Sequence, residues 1–115
     1  MPKKKLLPND VTKTIIVQIG NSDDKLSQKE WCCFITETIN AVCRVSGRVH
    51  FQGCSNSRSI WQNFCIVAEV HSPDGLYTDL RLLATKYRQD SIALTVGGTE
   101  FVRPEGTLKP KKRRK

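Results

Sequence analysis

The side chains of this 115-residue chain that could form a nucleophile and its base are five cysteines and two histidines. Cys54 lies in a polar segment, residues 53–59, where we expect an exposed thiol. A thiol nucleophile needs an adjacent base, which only His50 or His71 could supply. For the other cysteines, small apolar packing is the ordinary role, and Cys32 and Cys43 share one side of a predicted helix. An odd number of cysteines without C-x-x-C spacing predicts neither a disulfide framework nor a zinc site.

Carboxylates offer two further chemical alternatives. Asp23 and Asp24 fall between a predicted strand and a predicted helix. They could hold Mg²⁺, but negative charge at that place also stabilises a helix N-terminus. Glu69 and His71 could act as an acid–base pair or lie on a solvated strand face. The simpler interpretation suffices for both pairs, so we expect a protein that is not an enzyme and that binds no cofactor and no metal.

Positive charge is concentrated at the two ends of the chain. Residues 1–13 carry four lysines against one aspartate, a net +3, and residues 103–115 carry seven basic side chains against one glutamate, a net +6. Residues 14–102 carry eight basic and nine acidic side chains, a net −1. Because both ends contain prolines and few large apolar groups, we expect flexible basic arms at 1–13 and 103–115 and one folded domain at 14–102.

The basic arms predict contacts with the phosphates of a nucleic acid, either DNA or RNA. The arm residues that we expect to make them are Lys3, Lys4, Lys5, Lys109, Lys111, Lys112, Arg113, Arg114 and Lys115. The segment Lys109–Lys115 also resembles a nuclear-import signal, and an added solubilising tail is a third interpretation.

Two apolar stripes predict helices. Ser27 and Glu30 have the spacing of a capping box, and a helix over about 28–44 would bury a stripe of Trp31, Ile35, Thr38, Ile39 and Val42. Ser72 or Asp74 would cap a second helix near Pro73. That helix would bury Leu76, Leu80, Leu83, Ala84 and Tyr87.

Four segments have strand patterns: 14–19, 45–52, 64–71 and 91–96, with a short final piece at 99–102. Alternation in 64–71 places Phe64, Ile66, Ala68 and Val70 on one side. The order β-α-β-β-α-β is typical of the α+β ferredoxin-like fold, a four-stranded antiparallel sheet with two helices on one face.

The face of that sheet that the helices leave uncovered, which we call the open face, is the first candidate for a binding surface. The pattern places Val45, Val49 and Phe51 towards the helices and Arg44, Ser46, Arg48, His50 and Gln52 on the open face, with Gly47 as a possible bulge. The two central strands then present Ile16, Cys65 and Val67 and no aromatic ring, which argues against RNA recognition by base stacking. Arg44 and Arg48 could contact phosphates or simply keep an edge strand soluble. A partly apolar open face could pair with a second copy of the chain.

Two segments, Ile19–Trp31 and Tyr87–Thr95, resemble parts of small uncharacterised proteins from bacteria and their phages. The resemblance covers about residues 14–102 and omits both basic arms. It implies a phage or mobile-element accessory role, and it assigns no activity and no functional residue.

These observations predict a small nucleic-acid-associated binding protein, with a homodimer or a protein partner formed through the body. The alternative is an accessory protein that inhibits or adapts one specific protein, with the tail as an address. Since the sequence has neither a secretory signal nor an apolar run near the roughly 20 residues of a membrane span, we expect an intracellular location without membrane association. That location would be cytoplasmic, nucleoid-associated or, in a eukaryotic cell, nuclear.

Overall fold

The computed structural model describes residues 12–21, 24–55 and 61–106. In chain order its elements are β1 (Lys13–Asn21), α1 (Gln28–Val45), β2 (Ser46–Cys54), β3 (Gln62–Val70), α2 (Asp74–Lys86) and β4 (Ala93–Gly97). The strands form one antiparallel sheet in the order β2-β3-β1-β4. The predicted α+β ferredoxin-like fold is confirmed, with β1 and β3 at the centre of the sheet.

The first helix begins at the predicted capping box. The Ser27 hydroxyl accepts a hydrogen bond from the backbone N–H of Glu30 at 3.1 Å, and the Glu30 carboxylate accepts one from the N–H of Ser27 at 3.0 Å. The buried stripe of α1 is rotated relative to the prediction. Its fully covered members are Trp31, Phe34, Thr38, Ala41 and Val42, whereas Ile35 and Ile39 are only partly buried.

The second helix buries the predicted Leu76, Leu80 and Leu83. Its predicted cap is wrong, because Pro73 occupies the N-cap position and no side chain caps the helix. The hydroxyl of Ser72 instead accepts a hydrogen bond from the N–H of Asp74 at 3.3 Å. Tyr87 follows the helix and stacks on Phe34 of α1 with ring centroids 4.7 Å apart, which joins the two helices.

The core lies between the two helices and one face of β1 and β3. Alternate residues of these strands are buried, as period-2 side-chain alternation requires. On this face lie Ile15, Val17 and Ile19 of β1 and Phe64, Ile66, Ala68 and Val70 of β3. The alternation predicted for the third strand is therefore confirmed.

The last part of the described chain departs from the prediction. β4 begins at Ala93 instead of Ser91, and residues 99–102 do not form a strand. The side chains of Phe101 and Val102 are exposed. In the described part of the chain, neither helix has the length and apolar character needed to cross a bilayer.

Candidate binding surface on the open face of the sheet

Strand register decides which side chains share the open face of the sheet. Residues directly opposite one another on neighbouring strands point to the same side. Four such residues lie side by side across all four strands and form what we call the apolar row: Phe51, Val67, Ile16 and Thr95. The neighbouring row contains small or uncharged residues: Gly53, Cys65, Gln18 and Ala93. The centre of the open face therefore carries no charged side chain.

The position of Phe51 corrects the sequence interpretation. Two register shifts interrupt the pairing of β2 with β3, one between Ser46 and Arg48 and one between Val49 and Phe51. The first is the bulge expected at Gly47, and it leaves Ser46 opposite Val70 and buried on the helix side. The second was not expected, and because a bulge adds one residue to one strand it reverses the faces that follow. Phe51 consequently lies on the open face, with 59% of the residue exposed.

The ring of Phe51 leans along β2 over Gly53. A β carbon added at Gly53 would lie 2.9 Å from the Cζ atom of the ring and 3.4 Å from Cε2. Such distances are shorter than van der Waals contact, so the close approach requires the absence of a side chain at residue 53. The sequence pattern places Gln52 on the open face, and this prediction is also wrong. Gln52 is paired with Ile66, whose side chain lies on the core face.

A polar cluster lies beside the apolar row. Nε2 of His50 donates a hydrogen bond to Oε2 of Glu69 at 2.9 Å, and the hydroxyl of Thr12 donates to Oε1 at 2.9 Å. The bond from His50 outweighs burial and, together with Thr12 and the charge of Arg48, holds the pKa of the Glu69 carboxyl below its usual value. Arg48 is opposite Glu69 in the register and exposed.

This polar cluster marks the end of the sheet where the described chain begins and its last strand ends. Lys13, the first residue of β1, is opposite Val70, and Thr14 is opposite Gly97, the last residue of β4. The hydroxyls of Thr14 and Thr99 are hydrogen-bonded to each other, which keeps the chain after β4 next to β1. The antiparallel pairing of β1 and β4 thus brings Lys13, the last residue of the predicted N-terminal arm, and Thr99, four residues before the predicted C-terminal arm, to one end of the sheet.

The residues predicted to contact phosphates lie in different parts of the chain and on different surfaces. The nine arm residues, Lys3, Lys4, Lys5, Lys109, Lys111, Lys112, Arg113, Arg114 and Lys115, lie outside the described residues. Arg48 lies on the open face as predicted, but Arg44 does not. Arg44 belongs to the last turn of α1, and its guanidinium forms an ion pair with Asp79 of α2 at 3.2 Å. The structure therefore does not bring Arg44 and Arg48 to one surface.

The side chains considered for catalysis are also separated. Cys54 is exposed at the end of β2 and lies four residues beyond His50, which is roughly 13 Å along an extended strand. His71 follows Val70, which pairs with the opposite end of β2. Glu69 binds His50 and Thr12. Of the two aspartates, Asp23 lies outside the described residues, and the described ranges contain no group of three or more His, Cys, Asp or Glu side chains placed to hold a metal ion.

Comparisons with known proteins assign neither a family nor an activity to the chain. No family model matches the chain, and no curated protein matches it. Among solved structures, the chain is similar to a dimeric ferredoxin-like protein from an uncultured marine organism, with 12% sequence identity and a TM-score of 0.32. The match covers 81% of this chain and 92% of that protein. The likeness transfers no activity, and the ferredoxin-like assignment follows from the element and strand order of this chain itself.

The aromatic side chain of Phe51 on the open face is not predicted by the sequence pattern. Phe51 lies two residues after Val49, so simple alternation assigns both side chains to the core. The available signal was Gly53, since an isolated glycine within a strand pattern indicates a bulge or a close approach nearby.

Proposed function

We propose that this protein is a small, non-enzymatic binding protein associated with nucleic acids. Its basic arms contact phosphates without regard to sequence, and its folded body contributes contacts to a second copy or to a protein partner. Phosphate neutralisation by lysine and arginine supplies most of the affinity in such binding, because it releases condensed counterions.

One observation carries this proposal: the excess positive charge of the chain belongs entirely to residues 1–13 and 103–115. The arms carry +3 and +6, whereas residues 14–102 carry −1. Pairing of Thr14 with Gly97 places the beginning of β1 beside the end of β4. A basic region assembled from both ends of the chain is supported by this arrangement, although the two segments are about 90 residues apart in sequence.

Charge-matched variants of the full-length chain test the proposal. The double variant Lys111→Gln and Lys112→Gln removes two positive charges from the tail, and Lys29→Gln with Arg81→Gln removes two from exposed positions on the helices. Each lost phosphate contact should reduce the slope of log K against log salt by about 0.9 on duplex DNA. We expect a reduction of about 1.8 for the tail variant and no change for the helix variant.

The measurement is fluorescence anisotropy with random-sequence duplex and single-stranded DNA and RNA, at salt concentrations from about 50 to 200 mM. If the tail variant binds with the wild-type affinity and slope, or if the helix variant loses as much, the arms do not anchor the protein and the proposal is wrong.

A second function is favoured by the apolar row on a nearly neutral body. An accessory protein that inhibits or adapts one protein partner would use such a surface, with the Lys109–Lys115 tail as an address. It predicts capture of a single partner that survives nuclease treatment and high salt and that is retained by the tail variant. Capture that disappears on nuclease treatment contradicts this alternative.

A further inference from the structure

The open face of the sheet carries an exposed aromatic ring that the body does not need for its core. The described strands contain two phenylalanines, and they lie on opposite faces: Phe64 is buried beneath the helices, whereas 59% of Phe51 is exposed. Phe51 lies beside Val67 of β3 in the apolar row. The ring is contiguous with Val67 and Ile16 of the apolar row, and an exposed apolar patch that includes an aromatic ring suits a ligand with a planar apolar surface.

We propose that this face binds single-stranded nucleic acid by stacking a base on the ring of Phe51. The inference rests on the proposed function, since the basic arms would hold the phosphates of the same strand. Every base has a planar face, so an aromatic side chain on a sheet can stack any of them. The lean of Phe51 over Gly53 holds the ring low along the strand, which leaves the space above the sheet free for a base.

The positive charge available to a nucleic acid on this surface comes mainly from the predicted arms, which carry +3 and +6. Arg48 adds one positive charge on the open face next to the apolar row, opposite Glu69 and at the end of the sheet where β1 begins. The 11 residues before Thr12 can reach at most about 40 Å, which exceeds the roughly 19 Å width of a four-stranded sheet. Glu69 is the carboxylate beside this site, and its two oxygens are engaged by His50 and Thr12.

A duplex presents its base edges only inside its grooves, which an inserted helix or two-stranded ribbon must reach, whereas a single strand presents its bases directly to the face of a sheet. This difference favours a single strand over a duplex on the open face.

Substitutions at Phe51 in the full-length chain test the inference. Phe51→Leu keeps an apolar side chain and loses the aromatic face, whereas Phe51→Tyr keeps the face. We expect Phe51→Leu and Phe51→Ala to weaken binding to a short labelled single strand by about 5- to 150-fold, the range for loss of one stacked base. Phe51→Tyr should bind within about 3-fold of wild type. Leu82→Ala, at an exposed position on α2, is the matched control and should have no effect.

Two further measurements make the test specific. A strand of abasic sites has the phosphates but no bases, so wild type and Phe51→Leu should bind it equally. Gly53→Ala places a β carbon where the ring lies and should weaken binding to the normal strand while leaving the abasic strand unaffected. Circular dichroism and denaturation confirm that each variant is folded, and Phe51→Leu and Gly53→Ala remain informative if Phe51→Ala is not.

The outcomes separate this inference from the proposed function. Wild-type affinity of both Phe51→Leu and Phe51→Ala for the single strand would overturn base stacking, even if the tail variant confirms that the arms bind phosphates. Loss of a concentration-dependent dimer in Phe51→Leu, with unchanged affinity for the strand, would also overturn it and assign the face to a second copy. If the tail variant keeps the wild-type affinity while Phe51→Leu binds the single strand more weakly, only the proposal that the arms contact phosphates is contradicted.

Discussion

The side-chain amide of Asn21 binds both backbone groups of Leu26. Its Oδ1 accepts a hydrogen bond from the N–H of Leu26 at 2.8 Å, and its Nδ2 donates to the carbonyl of Leu26 at 3.1 Å. Both residues are buried. Asn21 ends β1 and Leu26 precedes the Ser27 cap of α1, so this amide fixes where the first helix leaves the sheet.

We expect Asn21→Ala to lower the free energy of unfolding by about 2 to 4 kcal/mol, because a buried donor and a buried acceptor of Leu26 lose their partner. Urea denaturation measures the difference. Asn40→Ala, at an exposed position on α1, is the control and should change stability by less than about 0.5 kcal/mol. Equal midpoints for the two variants would contradict the role assigned to Asn21.

The capping box of α1 gives a second prediction. Ser27→Ala removes the hydroxyl that accepts from the N–H of Glu30, and we expect a loss of about 1 kcal/mol in the free energy of unfolding. Ser72→Ala should cost less, because Ser72 precedes the N-cap of α2 and accepts a longer bond of 3.3 Å. A larger loss for Ser72→Ala in thermal or urea denaturation would show that α2 depends on side-chain capping after all.

The Glu69 cluster predicts an acid-sensitive contribution to stability. The hydrogen bond from His50 lowers the pKa of Glu69 in the folded protein, so its contribution is complete above the unfolded-state pKa and is lost as the pH falls through the lower folded-state pKa. Wild type should therefore lose more stability between about pH 7 and pH 3 than Glu69→Gln. Glu100→Gln, at an exposed position, should follow wild type. Parallel curves of stability against pH for wild type and Glu69→Gln would show that Glu69 makes no such contribution.

The cysteines predict a distinct labelling pattern. Cys54 is exposed as expected, but Cys32 and Cys33 of α1 are exposed as well, whereas Cys43 and Cys65 are half-buried. Thiol reagents in native buffer should modify Cys32, Cys33 and Cys54 first and the other two more slowly. Mass spectrometry of a time course identifies the sites. Faster modification of Cys65 than of Cys54 would indicate that the open face of the sheet is less ordered than described.

The local sequence pattern is sufficient to predict those helices and strands whose buried residues recur at a regular spacing. Helix α2 is predicted correctly from the spacing of Leu76, Leu80 and Leu83, and β3 from its alternation. In both elements the buried residues recur at the spacing that the helix or strand itself imposes. The Ser27 cap is equally local, because both of its partners lie within four residues. The prediction of the buried stripe of α1 is less accurate. Phe34 and Ala41 are buried because α1 packs on α2 and the sheet, and no local spacing specifies that packing.

The sequence by itself determined the order of elements and the segregation of charge into the two ends. Only the tertiary structure decided that Phe51 lies on the open face, since a bulge is defined by pairing with a second strand and reverses every side chain after it. It alone also decided that the beginning of β1 lies beside the end of β4, because antiparallel pairing joins Thr14 to Gly97 across the whole body. Both decisions depend on contacts between residues distant in sequence, which local periodicity does not encode.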